Sequence, residues 1–203
     1  MMLAEILCES SRHHDHLCPR QVLGVRMGLY AGELLGLQLP RADKRLLVIT
    51  ETDGCAVDGI SAATGCRVGN RTLRVMDFGK VAATFIDVST ETCIRIAPSV
   101  QARSLALAYS PSSTSRWDAM LSAYQSMPVM DLLAFQQVQL DTPLAQILSV
   151  PGKKVQCEVC GEEIMNEREV LKNEMILCRS CAGDGYYRYP VDSLSVEQLE
   201  QNG

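Results

Sequence analysis

The sequence has no excess of positive charge: Lys and Arg number 19 against 24 Asp and Glu, a formal net charge of −5. A phosphate-binding surface should be basic, so nucleic acid is not expected as a partner. No apolar run approaches the ~20 residues needed to span a bilayer, so no membrane association is expected. The start, Met1-Met2-Leu3-Ala4-Glu5, lacks a basic segment followed by an apolar core, so no signal peptide is expected. Walker loops, dinucleotide fingerprints and serine nucleophile elbows are all missing, which removes the common nucleotide and hydrolase signatures. Repeats and low-complexity stretches are missing too.

What is present is cysteine. Nine cysteines, an odd number, without a secretory signal point to reduced thiols and metal binding in a cytoplasm. Four of them follow the pattern Cys157-x2-Cys160, seventeen residues, Cys178-x2-Cys181. Two residues between paired cysteines let both thiolates turn onto one ion, and the second pair completes a tetrahedral four-sulfur shell. Gly161 follows the first pair, where backbone freedom is useful. A closed shell of this kind holds a structural zinc and leaves no open position for chemistry. From Pro151 onward acidic residues outnumber basic ones by ten to six. This finger is therefore expected to pack against protein.

At 203 residues and 47% hydrophobic, the chain can bury one sizeable core and carry a small appendage. Helices are expected over 2–10, 18–37, 55–64, 99–109, 115–125 and 129–133. Strands are expected over 45–51, 72–77, 81–88, 92–97 and 135–140. Pro19 suits a first helical position. Phe78-Gly79-Lys80 and Ser89-Thr90-Glu91 read as tight connections between antiparallel strands. The expected fold is α+β, an antiparallel-rich sheet packed with helices, plus a small treble-clef-like zinc module at the C-terminus. The expected domains are a core over 1–150 and a four-cysteine module with its tail over 151–203, joined by a linker near 143–154.

The three histidines cluster at His13, His14 and His16. In an extended segment His14, His16 and Cys18 face one side and can converge on a metal, zinc or iron by ligand type. A solvated polar loop is the plain alternative. Cys18 and Cys55 each lie at an expected helix start, where unpaired amides and the helix dipole favour a thiolate. For Cys55 the alternative is a small buried apolar side chain. Cys8 and Cys93 read as packing residues, and Cys66 lies too far along its helix to share a metal with Cys55 unless the chain folds back. Gly24, Gly28, Gly32 and Gly36 form a stripe whose helix cost, about 1 kcal/mol each, calls for close packing. A homodimer through core surfaces that include the helix faces near that stripe is expected, with packing by an intramolecular helix or strand as the alternative.

Taken together, several motifs resemble the E-type subunit family of formylmethanofuran dehydrogenase. They are His14-x-His16-x-Cys18-Pro19 with Gly24 and Gly28; Glu51-x3-Cys55-x2-Asp58-x-Ile60; Gly65-Cys66-x2-Gly69-Asn70; and Asp77-x-Gly79-Lys80. The match is strong over about residues 10–100, and the C-terminal module is similar to the treble-clef finger of some members. The resemblance implies an α+β core with a metal or active site built from the His/Cys motif and the cysteine after the first strand. It also implies association with a molybdenum or tungsten formylmethanofuran dehydrogenase. Asp15 and Arg20 depart from the pattern, which often has glycine at both places.

Two functions follow as expectations. One is a metal-dependent redox or one-carbon enzyme subunit with Cys18, Cys55 and His16 as catalytic residues. Its core metal would be held by His14, His16, Cys18 and Cys55, with Asp58 and Lys80 as supports. The other is a non-catalytic metal-binding accessory that docks to a larger oxidoreductase. A transcriptional zinc protein is the weakest alternative on charge.

Overall fold

The computed structural model describes residues 2–12 and 16–188, and the chain divides between Leu144 and Ala145 into two compact units. In the first, α1 (Leu3–Ser10) precedes a long α2 (Pro19–Leu35), then β1 (Leu46–Thr50) and α3 (Ala56–Thr64). The strands β2 (Leu73–Val75), β3 (Ala83–Asp87) and β4 (Thr92–Pro98) follow. Next come α4 (Ala102–Tyr109), α5 (Arg116–Ser126), α6 (Val129–Leu132) and the edge strand β5 (Leu133–Gln137). A short helix, α7 (Leu144–Leu148), lies inside the segment expected as linker.

The five strands form one sheet in the order β2-β1-β3-β4-β5. Only β1 and β2 are parallel; the other three pairings are antiparallel. Ser89-Thr90-Glu91 joins an antiparallel pair as expected. Phe78-Gly79-Lys80 does not, because β1 lies between β2 and β3. Instead the amides of Phe78 and Lys80 both donate to the Glu51 carbonyl, at 3.0 Å each, and close the loop onto the end of β1.

Register places Leu73, Val48, Phe85 and Ile94 in one row across the sheet. These four are buried in the core that also holds Val22, Val25 and Met27 of α2 and Ile60 and Ala63 of α3. Alternation along each strand supplies the apolar face, and α2 and α3 cover it. Arg26 ties α2 to α5 by donating to the carbonyls of Tyr124 (2.8 Å), Gln125 (3.2 Å) and Met127 (2.8 Å), the last turn of that helix.

The glycine stripe is consumed inside this unit. A Cβ at Gly24 would collide with the Ala56 carbonyl, and one at Gly28 would come within 2.7 Å of the Ala63 Cβ. Gly59 of α3 answers from the other side, where a Cβ would collide with the Gln21 carbonyl and lie 2.8 Å from the Val25 nitrogen. Gly32 meets Leu37 and Leu39. The close packing that the stripe demands is thus intramolecular, and the stripe offers no argument for a subunit interface. Gly36 serves differently, ending α2 in the left-handed conformation at φ 64°.

The second unit contains two hairpins, β6 (Lys154–Gln156) with β7 (Glu163–Met165) and β8 (Val170–Lys172) with β9 (Met175–Leu177). A short helical turn over Ser180–Asp184 follows. Its own small core consists of Cys157, Ile164 and Leu177.

Candidate functional site

In the finger, Gly161 adopts φ 72° and its amide donates to the Cys157 carbonyl at 2.9 Å, turning the chain back after the first cysteine pair. The four sulfurs of Cys157, Cys160, Cys178 and Cys181 all lie within 4.8 Å of one another, with Cys160 and Cys178 3.9 Å apart. Four zinc–sulfur bonds of about 2.3 Å in a tetrahedron require sulfurs roughly 3.8 Å apart, so the donor set fits zinc with little adjustment. Burial raises the Cys157 thiol, but amides of Cys160, Cys178 and Val159 directed at its sulfur outweigh that and bring it down to about 6. The Cys178 amide, for example, lies 3.3 Å from it. Such amides orient the sulfur and favour its anionic form.

The core site begins with the interlocked helices. Gly24 meets Ala56, Gly59 meets Gln21 and Val25, and Gly28 meets Ala63, so α2 and α3 run in the same direction. Their N-caps, Cys18 and Cys55, therefore come out side by side. Cys18 and Cys55 are neighbours close enough for one thiol to raise the other, and both line a cavity of about 610 Å³. Cys18 is held by a reciprocal cap: the Gln21 amide donates to its sulfur at 3.4 Å, and its own amide donates to Gln21 Oε1 at 2.8 Å. Gln21 is fully buried and its Nε2 donates to the Ser10 carbonyl at 2.9 Å, so α1 steadies the cap. Cys55 makes no such cap bond.

The expected thiolate bias fails for Cys18. Burial pushes its thiol up, and the neighbouring Cys55 adds to that, more than the Gln21 amide lowers it. His16 points elsewhere: its ring meets Trp117 edge-on, with centroids 6.0 Å apart. Among the described residues, the finger is the one group of three or more candidate ligands with atoms within 4.8 Å of one another. Cys18, Cys55 and His16 thus do not form a closed three-ligand set. His13 and His14 lie outside the described residues.

Asp58 occupies the first turn of α3. Lys80 is exposed and lies beside Glu51, whose carboxylate is bound at both oxygens by Arg95 at 2.6 and 2.7 Å. Cys66 is buried away from the cavity, its thiol 3.5 Å from the Leu46 carbonyl. Cys93 packs in β4 as expected, but Cys8 is exposed, because α1 turns Ile6, Leu7 and Ser10 inward. The motifs did not reveal the rest of the cavity wall. It comes from the loop before α4 (Pro98, Ser99, Val100), from Arg103, and from Trp117, Met120 and Tyr124 of α5. The one available signal was their spacing at i, i+3 and i+7 on α5, which places them on one helix face.

The model of the FmdE family, described as "FmdE, Molybdenum formylmethanofuran dehydrogenase operon", matches residues 13–134. The chain belongs to the FmdE family. Residues 151–187 match the prokaryotic dksA/traR C4-type zinc finger, in agreement with the four-sulfur cluster. This FmdE-family chain is therefore a metal-binding protein with a structural zinc finger. It is 26% identical over 204 residues to a probable S-adenosyl-L-methionine-binding protein of Archaeoglobus fulgidus. That alignment covers 91% of the chain but 54% of the relative, so the chain spans about half the length of the curated relative it matches. A crystal structure of a tungsten formylmethanofuran dehydrogenase FmdE-like protein from Syntrophus aciditrophicus superposes with a TM-score of 0.59. It is 23% identical and covers 92% of this chain and 95% of its own, a likeness of fold. No helix among the described residues is long and apolar enough to cross a membrane.

Proposed function

We propose that this FmdE-family chain is a subunit of a redox or one-carbon enzyme whose reaction takes place at Cys18 and Cys55. The observation that carries the reading is the meeting of two helix-cap thiols inside a cavity large enough for a small molecule. Two neighbouring sulfurs would supply half of a tetrahedral shell, and imidazole from His14 or from a re-aimed His16 would supply a third ligand. A bound zinc or iron ion would contribute Lewis-acid or redox chemistry there. A cation also favours thiolates, which would offset the burial that now holds Cys18 protonated. Gln21 fixes the Cys18 sulfur through its backbone amide. The family's association with formylmethanofuran dehydrogenase supports a place in a larger oxidoreductase, with the finger as a docking element.

Cobalt titration of the full chain tests this reading. Two equivalents should bind, each giving sulfur-to-cobalt charge-transfer absorption, and the double substitution Cys18→Ser, Cys55→Ser should reduce this to one. A single equivalent in the unmodified chain, unaffected by that substitution, would remove the core metal. If a second metal binds but azide does not perturb its spectrum, the site is closed and the accessory reading prevails.

A further inference from the structure

The same cavity has a second chemical character, which the thiols do not explain. Two arginines, Arg20 and Arg103, line it, and among the described residues no carboxylate does, although the chain as a whole carries a net charge of −5. Three other arginines of this unit are paired with carboxylates: Arg45 with Asp87 at 2.8 Å, Arg95 with Glu51 at 2.6 Å, and Arg41 with Asp43. Arg26 is matched by three carbonyls. Among the described residues neither Arg20 nor Arg103 has a carboxylate partner.

Arg103 instead lies beside Tyr124 in the cavity lining, near enough for its charge to act on that phenol, and Tyr124 is only 4% exposed. Burial pushes that phenol up, the mark of a poorly hydrated surrounding in which an added anion would interact strongly with a cation. A guanidinium has five N–H donors and one partner here does not exhaust them. Along α5, Tyr124 lies seven residues, or about 10 Å, from Trp117. Trp117 in turn touches His16, two residues from Cys18. The cavity therefore carries Arg20 next to the thiols of Cys18 and Cys55, Arg103 with Tyr124 further along α5, and apolar wall from Leu23, Val81, Pro98, Val100 and Met120.

We infer that the cavity takes a small organic carboxylate with a flat, apolar body. Its two oxygens are held by Arg103 and Tyr124, its body lies along Met120 and Trp117, and its far end reaches Cys18 and Cys55. One guanidinium and one phenol match the two oxygens of a carboxylate. The inference rests on the cavity being the reaction site proposed above, and it names the class of substrate that site receives.

Trp117 is the single tryptophan of the chain, so its fluorescence reports occupancy directly. Full-length protein is titrated with 4-phenylbutyrate and with 4-phenylbutyramide, its neutral counterpart of equal shape. The acid should bind roughly tenfold or more tightly than the amide, as a charge-assisted pair requires. Arg103→Gln should bring the two to equality, and Arg103→Lys should retain part of the difference, with circular dichroism showing both variants folded. Equal binding of acid and amide, no binding of the acid, or a preference that survives Arg103→Gln would each overturn the inference. Cobalt absorption recorded on the same samples reads the thiols separately. A second equivalent of bound cobalt without acid preference removes the carboxylate alone; acid preference with only the finger's single equivalent removes the core metal alone and leaves the carboxylate site standing.

Discussion

Gly24 of α2 and Ala56 of α3 meet backbone to backbone, with no room for a Cβ between Gly24 and the Ala56 carbonyl. This contact, one residue past Cys55 and six past Cys18, sets how closely the two thiols approach. The conformational cost of the glycines thus maintains the geometry of the cavity.

Gly24→Ala and Gly59→Ala should each be destabilising, because the added methyl meets backbone atoms that cannot rotate away. The ~1 kcal/mol gained in helix propensity is smaller than the overpacking penalty, about 1–3 kcal/mol or more. Gly28→Ala meets the Ala63 Cβ at 2.7 Å, a milder overlap than the collisions with carbonyl oxygens at Gly24 and Gly59, and should cost less. Thermal denaturation of the three variants checks the order; equal melting temperatures would contradict the packing argument.

Glu51 and Arg95 supply a pH dependence. The Arg95 guanidinium, by hydrogen bond and then by charge with help from Lys80, holds the Glu51 carboxyl below the ordinary carboxylate range. The stabilisation is fully present above the unfolded value of about 4.3 and is lost as pH falls through the lower folded value. Glu51→Gln should cost about 1–3 kcal/mol at neutral pH. It should also flatten the acid limb of the stability curve. Denaturant titrations at pH 7 and below 4 read both effects; an unchanged acid limb would show that the pair does not titrate with folding.

Removal of the finger metal should act locally. Zinc bound only by the folded form stabilises that form, so chelation or Cys160→Ser should unfold 151–187 while Met1–Leu144 keeps its structure. Hydrogen exchange followed by mass spectrometry resolves the two units. Full zinc occupancy of the finger in Cys160→Ser, or loss of protection throughout β1 to β5, would contradict this.

Much of the site was legible because its signals are local. Pro19 at a helix start, Gly161 after the first cysteine pair and the Cys-x2-Cys spacing each encode geometry within a few residues. The β1–β2 pairing was not, since Phe78-Gly79-Lys80 has the composition of a hairpin turn and only the long-range insertion of β1 between β2 and β3 reveals otherwise. The state of Cys18 was also hidden. A helix cap favours the thiolate, and only the packed structure shows burial prevailing over the Gln21 amide. Arg103 and Tyr124 belong to no motif and share a cavity with the thiols only once α5 packs on α2 and α4 on α5.

Anomalous scattering from crystals of the protein purified without added metal, measured at the zinc and iron edges, tests the central claim most directly. The account predicts one peak among Cys157, Cys160, Cys178 and Cys181, and a second bonded to the sulfurs of both Cys18 and Cys55 with a histidine nitrogen from His14 or His16. A single peak at the finger, with Cys18 and Cys55 in contact as thiols at full occupancy, would contradict it.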